Sequence, residues 1–380
     1  MPLALYLLAL AVFAMGTSEF MLSGLLPDLA AELGVSVGTA GLLTSAFAIG
    51  MVAGAPPMAA LARRWPRRAG LFAFIVLFAV AHVVGATAAS FEVLCVSRVV
   101  AAFANAGFLA LAVTAAAGLV APERRGRAVG VLLSGTTAAT VVGVPAGALL
   151  GQLLGWRASF WAVALLCAPA AVGVLRGVPA GRVGTHGPSA LRAELAELAR
   201  PRLLRVLLLG ALVNAGTLAA FTFLAPLVTG PAGLGPRWVP VVLVLFGLGT
   251  VLGVGVAGRL ADRHPLRLLA VAGPLLPLGW AALAGWPSTL PALVPLLGAL
   301  SFAVGGTLIT CALTAAPGAP TMAGAYATAA LNLGATTGPL LAAITLPSPT
   351  GPLHTAAALT AIALLLTPTL RNRAPARTDA

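Results

Sequence analysis

The chain has 380 residues, 60% of them hydrophobic and 8% charged, and a mean hydropathy of +1.03. A soluble globular protein carries about 25% charged residues, so too little polar surface is present to hold a fold of this size in water, and an all-α polytopic membrane protein is expected. The formal charge of +13 does not point to nucleic acid: there is no lysine, and the arginines fall in short clusters between apolar runs rather than along one soluble face.

A helix that crosses a bilayer needs about 20 mainly apolar residues. Twelve spans are predicted, at 3–26, 41–61, 69–89, 91–118, 128–150, 156–175, 206–228, 239–258, 266–285, 289–312, 321–346 and 354–370. Span 1 lacks a basic leading region and is longer than a signal-peptide core, so a retained first helix is expected. Within it, "MGTSEFMLSGLLP" (15–27) carries Glu19. The apolar run continues to Leu26, so Glu19 does not mark a helix end. Span 3 holds His82 and span 4 holds Arg98. Each of the three lies about seven residues from the outer end of its span, hence roughly 10 Å deep.

Ionisable groups inside a membrane are costly, usually paired, and functional by default. Glu19 is the candidate proton site. Poised between burial and the Arg98 charge, its carboxyl can load and release a proton as access alternates. The competing reading is a Glu19–Arg98 pair that only stabilises the fold. His82 reads as a satisfied packing residue.

Further along span 4, Asn105 shares a helical face with Arg98. Span 5 carries Gly135, Ala139, Gly143, Gly147 and Gly151, four apart, with Pro145 among them. Such a small-residue ridge permits close helix approach, and the proline can kink it. It reads as a hinged seam between two halves of the molecule, or as plain packing. In the polar middle segment, "SALRAELAELARPRLL" puts Leu191, Leu195 and Leu198 on one face, with Ser189 as a cap and Pro201 after the helix end. An amphipathic helix on the inner leaflet fits, and so does a linker with one helical stretch. Span 7 presents Asn214, Thr217 and Phe221 at i, i+3 and i+7, and span 11 presents Thr328, Asn332 and Thr336 at i, i+4 and i+8. These stripes suit a cavity lining or interhelical glue. Met15 and Phe221 suit an apolar ligand, or packing. Cys95, Cys167 and Cys311 lie in apolar runs without a CxxC partner and read as buried thiols.

With both termini inside, 19 arginines fall on the cytoplasmic side and two, Arg157 and Arg237, on the other, which orients the chain in the cell membrane. An internal repeat sets the halves. "ALARRWPRR" (60–68) aligns with "RLADRHPLR" (259–267) at an offset of 199. Residues 1–175 and 206–370 are then two pseudo-symmetric six-helix bundles, joined by a cytoplasmic linker at 176–205 and followed by a cytoplasmic tail at 371–380. Parallel halves with a midplane site between them are a transporter architecture.

Taken together, these features resemble the major facilitator superfamily, and within it the twelve-span drug:proton antiporters. "GRLADRHPLR" (258–267) is similar to the superfamily's loop motif, with Asp262, Arg263 and Arg267 at its charged positions and Pro265 where glycine is usual. The first copy, "AALARRWPRR" (59–68), departs more, at Ala59, Arg63 and Pro66. "LCVSRVVAAFANAG" (94–107) resembles the span-4 motif with its buried arginine, Arg98. "GVPAGALLG" (143–151) resembles the antiporter motif of span 5, a signature of export, through Gly143, Pro145 and Gly147. "GTSEFMLSGLLPDLA" (16–30), "TSAFAIGMVAGAPPMAAL", "VVAAFANAGFLALA" and "GWRASFWAVAL" resemble the actinobacterial chloramphenicol-resistance exporters.

The resemblance implies a proton-coupled drug exporter. In related antiporters an acidic residue on span 1 binds drug and proton, and Glu19 matches it. A monomer is expected, handling a small-molecule drug and protons within the lipid bilayer and needing no cofactor. Efflux of a sugar or nucleoside is the alternative. A membrane-embedded enzyme would need a clustered constellation, and neither HExxH, nor an acidic pair, nor a Ser/His/Asp spacing occurs.

Overall fold

The computed structural model describes residues 1–61, 65–181, 188–261, 263–319 and 322–367. Eleven helices among them are long and apolar enough to cross a membrane. Spans 1 to 6 are Leu3–Gly24, Val37–Ala60, Arg67–Thr87, Phe91–Gly118, Arg125–Leu154 and Trp156–Gly177. Spans 7 to 11 are Pro201–Thr222, Trp238–Leu260, Pro265–Gly285, Pro287–Ala315 and Met322–Thr345. A shorter apolar helix, Gly351–Leu366, stands as span 12. Large apolar side chains remain exposed around the outside, among them Leu252, Leu278, Ile344 and Leu365. Such a belt is unsustainable in water and suits acyl chains.

Prolines and glycines set the breaks. Span 1 leaves α-geometry at a 3-10 turn, Met21–Gly24, and a short helix, Leu26–Leu33, follows. Span 7 stops at Thr222, earlier than the predicted 228, and resumes as Leu224–Thr229. Pro27 and Pro226 each lack the amide that would bond the preceding turn, and 199 residues separate them, the offset of the loop repeat. Gly155, at φ +83°, makes the turn between spans 5 and 6 that a side chain would strain. Ser90 caps span 4 by accepting from the Val93 amide at 3.4 Å.

Spans 2, 4 and 5 pack with spans 1, 3 and 6, and spans 8, 10 and 11 with spans 7, 9 and 12. Span 2 with span 11 and span 5 with span 8 make the broadest contacts between these groups, and the end of span 1, Met21–Gly24, adds contacts with spans 7 and 8.

The linker helix is Pro188–Glu197. The side chains of Ser189 and Leu191 lie outside the described residues. Leu195 and Leu198 are exposed, whereas Glu194 and Glu197 are buried. Glu194 accepts from the Met322 amide at 2.9 Å, and its carbonyl accepts from the Tyr326 hydroxyl at 3.0 Å. Glu194 of the linker helix therefore caps span 11, and Leu195 and Leu198 are left outward.

Candidate functional site

The polar centre of the first six spans is built on Ser18, which is fully buried. Arg98, 1% exposed, reaches it from span 4. Nη1 donates to the Ser18 Oγ and Nη2 to the Ser18 carbonyl, both at 2.7 Å. The guanidinium lies 4.5 Å over the Phe47 ring of span 2, a favourable cation–π contact. From span 3, His82 Nε2 sits 2.7 Å from the same Ser18 Oγ, and its Nδ1 is 2.7 Å from the Phe78 carbonyl. Its ring rests between Phe78 and Phe160. Spans 3 and 4 thus bond one buried hydroxyl of span 1, and spans 2 and 6 cover the groups that bond it.

Glu19 is the next residue of span 1. It is only partly buried, and it lies within electrostatic range of Arg98. Among the described residues the two form no ion pair. Successive helical side chains diverge by about 100°. Ser18 takes the guanidinium, and Glu19 is left unbonded. The stabilising pair weighed from the sequence is not formed in this state. His82 is satisfied at both nitrogens, as a packing residue would be, but one of those bonds ties it to the arginine's anchor.

The other candidates divide. Met15 is buried in span 1. Asn105 is buried in span 4, and its Oδ1 has no partner. Asn214 donates to the Leu331 carbonyl at 2.6 Å and so joins span 7 to span 11. Thr217 bonds the Val213 carbonyl, and Asn332 the Thr328 carbonyl, each within its own helix. Phe221 belongs to a chain of rings. It meets Phe20 edge-on at 6.0 Å and Phe246 at 4.6 Å, and Phe246 meets Phe302 at 6.4 Å. The rings run from the neighbour of Glu19 across to spans 7, 8 and 10. Ser18, Phe20, Phe47, Phe246 and Phe302 were not singled out in the sequence. Ser18 adjoins the carboxylate of span 1, and that neighbour is the signal that could have drawn attention to it.

Asp262 lies outside the described residues, and Arg263 and Arg267 are exposed. The glycine ridge corrects an expectation. It faces span 1 within its own bundle, not the seam between halves. A Cβ on Gly135 would strike the Ala9 carbonyl, one on Gly143 the Thr17 hydroxyl, and one on Gly151 the Leu25 side chain. The seam uses the adjoining face of span 5, where Ala139–Gly143 widens into a π-turn. Pro145 offers no amide to the Val141 carbonyl one turn earlier, and that lost bond favours the wider turn. There Thr140 Oγ1 meets Thr250 Oγ1 of span 8 at 3.1 Å.

The halves meet closely at the end away from the termini. The Gln152 amide donates to the Pro236 carbonyl at 2.8 Å, and the Ser45 hydroxyl to the Thr336 carbonyl at 2.8 Å. Toward the termini the seam opens. Past the Thr140–Thr250 contact, Gly126, Gly130 and Leu133 on span 5 and Val251, Val254 and Gly258 on span 8 are all exposed.

Residues 8–329 match the family model of the Major Facilitator Superfamily. The chain is 66% identical to a Streptomyces lividans protein named "Chloramphenicol resistance protein", over 91% of this chain and 90% of that one. It is 34% identical to YtbD, an uncharacterised MFS-type transporter of Bacillus subtilis (strain 168), over 70% of this chain and 67% of that one. Among solved structures it is similar to a bacterial homologue of the human lysosomal transporter Spinster, in an inward-facing conformation, with a TM-score of 0.72 at 19% identity. That match covers 98% of each chain. It is similar also to the nucleoside transporter NupG, with a TM-score of 0.76 at 12% identity, over 97% of this chain and 98% of that one. At these identities the structures speak for the fold alone.

Proposed function

Because the chain belongs to the Major Facilitator Superfamily and is a multi-pass membrane transporter, we propose that it exports chloramphenicol or a similar amphipathic drug in exchange for protons. The observation that carries the cargo is the 66% identity, over nearly the whole chain, to the Streptomyces lividans protein of that name. Residues 1–175 and 206–370 move as two bodies of a monomer, with the linker between them. The arginine distribution puts the termini in the cytoplasm, so the state described, closed at the far end, faces the cell interior.

In this state the drug enters between spans 5 and 8 and settles against the Phe20–Phe221 rings. Glu19, unbonded and partly exposed, is the group that exchanges its proton for the drug. Reorientation then closes the cytoplasmic end, and protonation from outside releases the drug there. Asn105, with an unmet acceptor in span 4, offers a polar contact to the cargo. Asn214, Thr217 and Asn332 shape the wall through their helix bonds.

The test is proton movement in inverted vesicles. Chloramphenicol should drive it in the wild type, and a panel of sugars and nucleosides should not. Glu19→Gln should abolish it while the protein remains folded by size-exclusion chromatography. Undiminished coupled efflux in that variant would remove Glu19 as the proton site, and a response confined to sugars or nucleosides would remove the drug.

A further inference from the structure

A buried guanidinium ordinarily turns to the nearest carboxylate. Here that carboxylate belongs to Glu19, and yet two of the Arg98 donors end on Ser18, one position earlier on the same helix. The hydrogen-bond directions around Ser18 are consistent with one another. The Phe78 carbonyl can only accept, so His82 Nδ1 carries its hydrogen. The lone pair of His82 Nε2 then faces the Ser18 hydroxyl, which donates to it. That leaves the Ser18 Oγ lone pairs for Arg98 Nη1. Each group fixes the next, from the Phe78 backbone to the guanidinium.

We infer that Ser18 and His82 are positioning residues for the exchange: together they clamp the Arg98 guanidinium away from Glu19 and keep that carboxyl free to take up a proton or meet the cargo. The inference deepens the proposed function and rests on Glu19 as the exchanging group. Phe47 closes the clamp from above by covering the guanidinium face. Without the Ser18 hydroxyl, Arg98 keeps one neutral acceptor and turns its freed nitrogen to the adjacent carboxylate.

Dicyclohexylcarbodiimide tests the clamp without any cargo. It modifies a carboxyl only in the protonated form, and a carboxylate engaged by a guanidinium is withheld from it. The full-length protein in native membranes is treated with the reagent, and label at residue 19 is read by mass spectrometry. Ser18→Ala should lower the label about tenfold, the effect of one opposite charge brought into contact. Ser18→Thr, which keeps the hydroxyl, should restore it. His82→Ala, which leaves the hydroxyl without its anchor, should give an intermediate loss, and His82→Gln a partial recovery. Wild-type labelling in a folded Ser18→Ala protein overturns the clamp. So does an unlabelled Glu19 in the wild type, or a Ser18→Thr protein that behaves as Ser18→Ala. If Ser18→Ala does not fold, the two His82 variants decide on the same readout. A chain that clamps Arg98 but carries a different cargo passes here and fails the chloramphenicol assay, so the two claims fail separately.

Discussion

Arg98 is the most demanding residue in the protein. Its guanidinium is buried in a membrane span and held by a hydroxyl, a backbone carbonyl and an aromatic face rather than by an anion. Arg98→Ala leaves two buried acceptors of Ser18 without their donors and opens space beside Phe47, a loss of about 3 kcal/mol. Arg237 is exposed at the start of span 8, and its removal should change stability by less than about 0.5 kcal/mol. Thermal melts in detergent and drug resistance in cells should therefore separate Arg98→Ala sharply from Arg237→Ala. Equal melting and equal resistance would mean that the Ser18 contacts carry no weight. Glu19, Arg98 and His82 were legible from the sequence because an ionisable residue is conspicuous in an apolar run. Ser18 and Phe47 were not, since serine and phenylalanine are ordinary in such helices. Only folding shows that one serine gathers two of the three ionisable groups.

Span 5 makes the corresponding case for an element. Its ridge of small residues was plain in the sequence, but the partner was not, because spacing defines a helical face without saying which neighbour it meets. The ridge packs on span 1, and the π-turn beside it delivers Thr140 to span 8. Individual glycines along the ridge are unequal. A Cβ on Gly135 would fall on the backbone of span 1 at Ala9 and Phe13, which cannot give way without moving the helix. Gly135→Ala should cost about 1–3 kcal/mol. At Gly147 the nearest atom to a new Cβ is the Met21 Cβ at 3.5 Å, an ordinary contact, and Gly147→Ala should be nearly neutral, within about 0.5 kcal/mol. Melting temperatures of the two variants in one detergent check the difference. Comparable losses would place the ridge elsewhere. The linker helix raises the same question of partner. Its leucine periodicity was readable, but the burial of Glu194 against span 11 depends on a partner more than a hundred residues away.

For the whole molecule, hydropathy, the 199-residue offset and the motif resemblance were enough to anticipate the all-helical, many-span fold, of which eleven helices are long enough to cross a membrane and a twelfth is shorter. Which end of the seam is shut depends on contacts between spans far apart in sequence, and these carry no periodic signal. The contacts make a concerted change of access testable. A Cβ built on Gly38 of span 2 stands 3.6 Å from the Ala343 Cβ of span 11, close to the spacing of about 3.8 Å found across disulfides. A Gly38→Cys/Ala343→Cys pair, in a chain whose three native cysteines are replaced, should oxidise readily in resting membranes. If export requires the far end to part, the cross-linked protein should lose efflux and recover it on reduction. A Leu133→Cys/Val254→Cys pair, on the exposed faces of spans 5 and 8, should resist cross-linking at rest, because the seam is open there. Continued efflux through a fully oxidised Gly38–Ala343 bridge would mean that spans 2 and 11 stay together throughout the cycle. The opening would then have to run along spans 5 and 8, where the Gln152–Pro236 and Thr140–Thr250 bonds are the contacts that must break.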